Sequence, residues 1–203
     1  MPASAQPSAS VWTPANIVTT VRVVFVPVWL LAAESFCPAQ PGSSWDSLAL
    51  VSFVFFVLLA LTDKLDGYLA RSRGEVTTFG KFLDPIADKL VVIVALCYLL
   101  EHGYVSSWVL LVVVAREFLV SGLRMVVASK GVVVAASNLG KWKTATTMVA
   151  ICGLLLCMGI PCDGALGVLL IVSRVFLAVA VLLTAWSGAD YFLKGWKYLA
   201  EAE

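Results

Sequence analysis

The chain has 203 residues, 61% of them hydrophobic and only 13% charged, with a formal net charge of +1 and a strongly positive mean hydropathy. That composition excludes an ordinary soluble domain and a disordered segment, and points to an integral membrane protein. The near-neutral balance, with no run of Lys and Arg, gives no footing for nucleic acid.

At roughly 20 residues per crossing, the length accommodates one compact bundle of about six spans. The expectation is therefore an all-α integral membrane protein: a six-transmembrane-helix bundle with an interfacial N-terminal helix. Residues 1–10 are rich in Pro, Ser and Ala, carry no charged side chain and lack the apolar stretch of a cleavable leader. They read as a flexible tail before a single domain over residues 11–203.

In chain order, Trp12-Thr13-Pro14-Ala15-Asn16 has the form of an interfacial helix start, with Thr13 as cap, Pro14 in the first turn and Trp12 at headgroup level. A first span is expected over about residues 17–33, interrupted early by Arg22. A loop with Pro38, Pro41 and Gly42 leads to a second span over 47–71, with Asp63 and Asp66 at its far end. After a polar turn, the third span covers 78–100, and Pro85 predicts a kink or local adjustment beside Asp84. Glu101-His102-Gly103 ends it. The fourth span, 105–129, holds Arg116, Glu117 and Arg124; Lys130-Gly131 closes it. The fifth, 140–160, opens with Lys141 and Lys143, and Pro161-Cys162-Asp163-Gly164 turns the chain into the sixth, 165–191, which contains Arg174. Residues 194–203, with Trp196 and Tyr198, read as an interfacial end.

Of the five cysteines, Cys97, Cys152 and Cys157 lie in apolar runs and are expected as packing residues. Cys37 and Cys162 fall in loops on one side, where their pairing is left open, and no C-x-x-C suggests a zinc or redox site. With six spans, Arg71, Arg73, Lys81, Lys130, Lys141, Lys143, Lys194 and Lys197 fall on one side and no Lys or Arg on the other. The basic side, with both termini, is expected in the cytoplasm.

Asp63, Asp66, Asp84 and Asp88 lie toward that same side. Their i, i+3 and i, i+4 spacings place each pair on one helix face. Gly67, Ala70 and Gly80 are small neighbours that let another group approach. Four carboxylates at a membrane boundary repel one another unless a cation binds them, and all-oxygen donors suit Mg²⁺ or a similar hard ion. Arg71, beside them, suits a diphosphate held by that ion. Arg116, Arg124, Lys141 and Lys143 come from two spans and form a second group, suited to phosphate or another anion. The plain alternative for this group is an ordinary basic flank, which suits Lys143 better than Arg116, a residue too deep for a flank. For Lys64 and Lys89 it is ion pairing with the adjacent Asp63 and Asp88, and for Arg174 snorkelling. His102, the one histidine, is expected far from the carboxylates, so base work falls to a carboxylate. Without a nucleophilic triad or a glycine-rich phosphate loop, direct displacement is expected.

The segment Asp63-x-x-Asp66-Gly67-x-x-Ala70-Arg71, eight residues, then Gly80-x-x-x-Asp84-x-x-x-Asp88 resembles the signature of the CDP-alcohol phosphotransferases at every position. The resemblance implies that Asp63, Asp66, Asp84 and Asp88 hold two divalent ions, Mg²⁺ or Mn²⁺, and that Asp88 also takes the acceptor proton. It implies that Asp63, Asp66, Gly67, Ala70, Arg71, Gly80 and Asp84 border the cytidine diphosphate, and that the enzyme is a homodimer. Asn16-x-x-Thr19-x-x-Arg22, Phe79 to Lys89, Ala115-Arg116-Glu117, Gly122-x-Arg124 and Gly140-Lys141-x-Lys143-Thr144 are similar to the family's bacterial branch that joins CDP-diacylglycerol to sn-glycerol 3-phosphate. On that likeness, Asn16 and Thr19 join the nucleotide site. The basic group Arg116, Arg124, Lys141 and Lys143 then takes the acceptor phosphate, and the site faces the cytoplasm from the bacterial cytoplasmic membrane. The alternatives within the family use inositol phosphate or phosphatidylglycerol as acceptor; outside it stands a small cation transporter.

Overall fold

The helices begin and end where the local sequence supplies partners for otherwise unpaired backbone groups. In the computed structural model, α1 runs Pro14–Phe36, α2 Ser47–Arg73, α3 Thr78–Glu101, α4 Ser107–Ser129, α5 Asn138–Gly159 and α6 Gly167–Ala200. The structure describes residues 13–36, 46–73, 78–129, 138–160 and 167–200; side chains are described for these except 15, 36, 63–73, 78, 81, 82, 84, 128, 129, 138 and 194–200. The expectations for the tail, Trp12, the Cys37–Cys162 pair, Lys130 and residues 201–203 lie outside the described residues.

Thr13 caps α1 as expected: its Oγ1 accepts from the Asn16 amide at 3.3 Å, with Pro14 at the first helical position. Asp46 does the same for α2, its Oδ1 accepting from the amides of Leu48 at 2.8 Å and Ala49 at 3.2 Å. At the end of α3 the chain turns through Gly103 at φ 75°, while the Tyr104 amide returns to the Leu99 carbonyl at 2.9 Å. Only glycine takes that left-handed conformation without strain. From Pro14, α1 is one uninterrupted helix, and α6 continues to Ala200, into the segment expected as an interfacial end. Pro27 and Pro85 leave α1 and α3 unbroken.

Packing follows from which helix faces are apolar and small. α1 lies against α2 and α3; α2 also meets α5; α5 and α6 form the most extensive pair, and α6 carries α4. The core is centred on Trp29, whose ring meets Phe56 at 5.4 Å and Tyr98 at 5.5 Å while its Nε1 donates to the Ser52 carbonyl at 2.9 Å. Leu96, Leu99, Ile151 and Leu154 close around it. Gly153 explains the α5–α6 approach: a Cβ there would run into the Ser173 side chain.

The outward faces are apolar, with Leu31, Leu58, Leu182 and Trp186 exposed. Asn16–Ser35, Leu139–Gly159 and Gly167–Leu193 are long and apolar enough to cross a bilayer, and Ser47–Thr62 is a shorter apolar stretch. Among the described residues every regular element is an α-helix and the outward faces are apolar, as a helical membrane protein requires. One packing expectation fails: Cys97 is exposed on α3, whereas Cys157 is buried and Cys152 partly so. Cys97 follows the buried Ala95 and Leu96 on a helix whose next step turns outward, and an apolar run carries no mark of which side faces lipid.

Candidate active site at one end of the bundle

Asp63, Asp66, Gly67, Ala70 and Arg71 lie on the last turns of α2; Gly80, Asp84 and Asp88 lie on the first turns of α3. Antiparallel succession brings these two stretches to the same end of the bundle, and Gly80 is buried there. Of the four carboxylates, the Asp88 side chain is among those described.

The link between the two acidic stretches comes from α1. Asn16, Thr19 and Arg22 recur every three residues along one face of α1 and are all buried. Arg22 donates from Nη1 to Asp88 Oδ1 at 2.8 Å and from Nε to Thr62 Oγ1 at 3.1 Å. Thr62 immediately precedes Asp63. One guanidinium therefore spans from the start of the acidic stretch on α2 to the end of the acidic stretch on α3. Asp88 accepts this ion pair while its side chain is still 49% exposed. An all-carboxylate donor set fits a hard divalent cation such as Mg²⁺ or Mn²⁺ and offers nothing to a soft one.

A second cluster spans α3, α4, α5 and α6. Glu117 of α4 binds Lys143 of α5 through Oε1, and the same oxygen accepts from Arg116 Nη1 at 3.0 Å. Lys89 of α3 donates to Ser121, one turn beyond Glu117 on α4, rather than pairing with its neighbour Asp88. Adjacent residues on a helix point about 100° apart, so Asp88 and Lys89 serve different neighbours. Arg124 donates from Nη2 to the Tyr191 hydroxyl of α6 at 2.8 Å and lies over its ring at 5.1 Å; Arg116 lies 5.9 Å from the same ring. Gly188, one turn earlier on α6, makes room for Arg116: a Cβ there would sit 3.1 Å from Arg116 Cγ. Arg116 Nε is buried without a hydrogen-bond partner among the described residues.

Of the four expected anion-binding residues, Arg116 and Lys143 are thus drawn together by Glu117, and Arg124 joins Arg116 across the Tyr191 ring. Lys141 is exposed, two positions before Lys143 and so on another face of α5. Among the described residues of this cluster, one carboxylate, Glu117, stands against four cations, Lys89, Arg116, Arg124 and Lys143, and the surplus of positive charge suits a phosphate. Thr62, Ser121, Glu117 and Tyr191 carry no site role in the sequence reading. Glu117 had a signal, since a lone deep carboxylate beside arginine needs a partner; Tyr191, Thr62 and Ser121 had none.

Among the described residues, Asp88 held by Arg22 and a cationic cluster lie at one end of the helix bundle, a combination suited to handling phosphates. The profile of the family described as CDP-alcohol phosphatidyltransferase matches residues 12–186. This chain belongs to that family. It is similar to the CDP-diacylglycerol–glycerol-3-phosphate 3-phosphatidyltransferase of Bacillus subtilis, 39% identical over 192 residues that cover 91% of this chain and 95% of the relative. A probable phosphatidylglycerophosphate synthase of Mycobacterium tuberculosis is 40% identical over 177 residues, 87% of this chain and 78% of the relative. The Rickettsia felis protein with the same name as the Bacillus one is 39% identical over 184 residues, 90% of this chain and 95% of the relative.

Proposed function

We propose that this chain transfers the phosphatidyl group of CDP-diacylglycerol to sn-glycerol 3-phosphate, releasing CMP and forming phosphatidylglycerophosphate. The observation that carries the reading is the Arg22 bridge, which joins Thr62, the residue before Asp63, to Asp88 and supports a site shared by α2 and α3. Names of relatives along nearly the whole chain support the substrates.

In this reading all six helices cross the cytoplasmic membrane, both termini and the site lie on the cytoplasmic side, α1 enters at the interface, and the enzyme works as a homodimer. The donor's acyl chains remain in lipid while its cytidine diphosphate meets Asn16, Thr19, Gly67, Ala70, Gly80 and Arg71. Asp63, Asp66, Asp84 and Asp88 hold two divalent ions, Mg²⁺ or Mn²⁺. When bound, such ions offset the diphosphate charge and lower the pKa of a hydroxyl beside them. Arg116, Arg124 and Lys143, with Lys141 at the entrance, hold the acceptor's phosphate. Asp88 takes the acceptor proton. The freed oxygen forms a bond to the phosphatidyl phosphorus as the bond from that phosphorus to CMP breaks.

Assay of the purified protein with CDP-diacylglycerol and each acceptor in turn tests this. Product from glycerol 3-phosphate is expected. Turnover with inositol phosphate and none with glycerol 3-phosphate would overturn it.

A further inference from the structure

Among the described residues Arg22 is the most deeply buried charged side chain, 1% exposed, yet the carboxylate it holds is half in the open. The enclosed Arg22 needs a counter-charge, which Asp88 supplies, whereas the half-exposed Asp88 is also met by solvent. Asp88 does not need Arg22 for solvation. Nor does Arg22 help a cation to bind, since a guanidinium 2.8 Å from a carboxylate oxygen repels any positive ion approaching that group. What Arg22 does supply is a fixed orientation. The Thr62 hydroxyl donates to the Leu59 carbonyl at 2.6 Å, which turns its oxygen lone pairs toward Arg22 Nε. The guanidinium plane is thereby pinned on α2, and its other arm grips Asp88 Oδ1 on α3. A planar fork can hold two acceptors in a set geometry; an ammonium cannot.

We propose that Arg22 is a positioning residue for the transfer reaction: anchored on Thr62, its guanidinium fixes the Asp88 carboxylate through Oδ1 and so aims that group at the reacting hydroxyl. This rests on the role given to Asp88 above. It sets Arg22 apart from the acidic residues in a measurable way. Removing a metal ligand weakens metal binding and turnover together. Removing Arg22 misaligns Asp88 while taking away a charge that opposes the metal.

The test uses the full-length protein in detergent, with steady-state kinetics and calorimetric Mn²⁺ titration on Arg22→Met, Arg22→Lys, Thr62→Val and Asp88→Asn. Arg22→Met is expected to lower kcat by about 100-fold, the scale of a misplaced reacting group, while KM for either substrate moves by less than about threefold. Its Mn²⁺ affinity is expected to stay level or tighten. Arg22→Lys recovers part of the lost kcat, and Thr62→Val, which removes the anchor and leaves the ion pair, lowers kcat by about fivefold with Mn²⁺ binding unchanged. A wild-type kcat in Arg22→Met, or a parallel fall of kcat and Mn²⁺ affinity, would overturn the proposal. If Arg22→Met does not fold, a wild-type kcat in both Arg22→Lys and Thr62→Val overturns it equally. Loss of turnover in Asp88→Asn together with normal turnover in the Arg22 variants sinks the role of Arg22 alone. Retained turnover in Asp88→Asn sinks the reading of Asp88 beneath it and the role of Arg22 with it.

Discussion

Single side chains at this end of the bundle carry the proposed acidic site and the cationic cluster, and each makes its own prediction. Asp84→Asn keeps the shape of the side chain but removes its charge. It is expected to lower turnover by about 100-fold or more, the scale of losing a group that acts on the reacting atoms, with helical content by circular dichroism unchanged. Tyr191→Phe leaves the ring beneath Arg124 and removes the hydroxyl that accepts from Nη2. Losing a hydrogen bond to a charged group is worth roughly 1.5 kcal/mol. The apparent KM for glycerol 3-phosphate should therefore rise about tenfold, and that for CDP-diacylglycerol should not change. Lys141→Ala is expected to shift the same acceptor constant in the same direction. Equal shifts in both substrate constants would remove these residues from an acceptor site. Most of these residues stood out in the sequence because a charge in hydrocarbon is conspicuous. Their partners did not. Arg22 meets Asp88 66 residues away, Lys143 meets Glu117 26 away, and Arg124 meets Tyr191 67 away. Which charge meets which is decided by how the helices pack, and for that reason Lys89 meets Ser121 where the plain alternative had it pair with Asp88.

Among elements, the six helices of the described residues were legible from hydropathy and turn residues, because a lipid-exposed helix must keep its apolar run unbroken. Ends were less so. α4 starts at Ser107, not Val105, since the Tyr104 and Val105 amides return to the Leu99 carbonyl to close α3. Helix pairing was not legible, because lipid-facing and core-facing positions are both apolar, as Cys97 illustrates. The α5–α6 pair depends on small residues instead. Gly153→Leu would overpack that contact and is expected to lower stability by about 1–3 kcal/mol, measured by unfolding in detergent. Unchanged stability would mean that the two helices do not approach closely at Gly153.

For the molecule as a whole, polarity is divided between the two ends. The far end closes on hydrocarbon and aromatic contacts: Trp29, Phe56 and Tyr98 stack there, His102 packs on Tyr98 at 4.4 Å, and the Asp46 amide donates to the Gly159 carbonyl at 3.0 Å. The near end gathers Arg22, Asp88, Lys89, Arg116, Glu117, Arg124 and Lys143. Alternating helix direction produces this division, because α1, α3 and α5 start where α2, α4 and α6 finish. Charge therefore accumulates where a water-soluble acceptor and a lipid-anchored nucleotide can both reach it.

The central claim is that carboxylates from α2 and α3 share divalent ions. Calorimetric titration of Mn²⁺ into the purified protein with cytidine nucleotide present, for wild type, Asp63→Asn and Asp84→Asn, tests it most directly. Two bound ions are expected in the wild type, with binding weakened by either substitution although the residues sit on different helices. Mn²⁺ binding that survives unchanged in either variant would contradict a shared site.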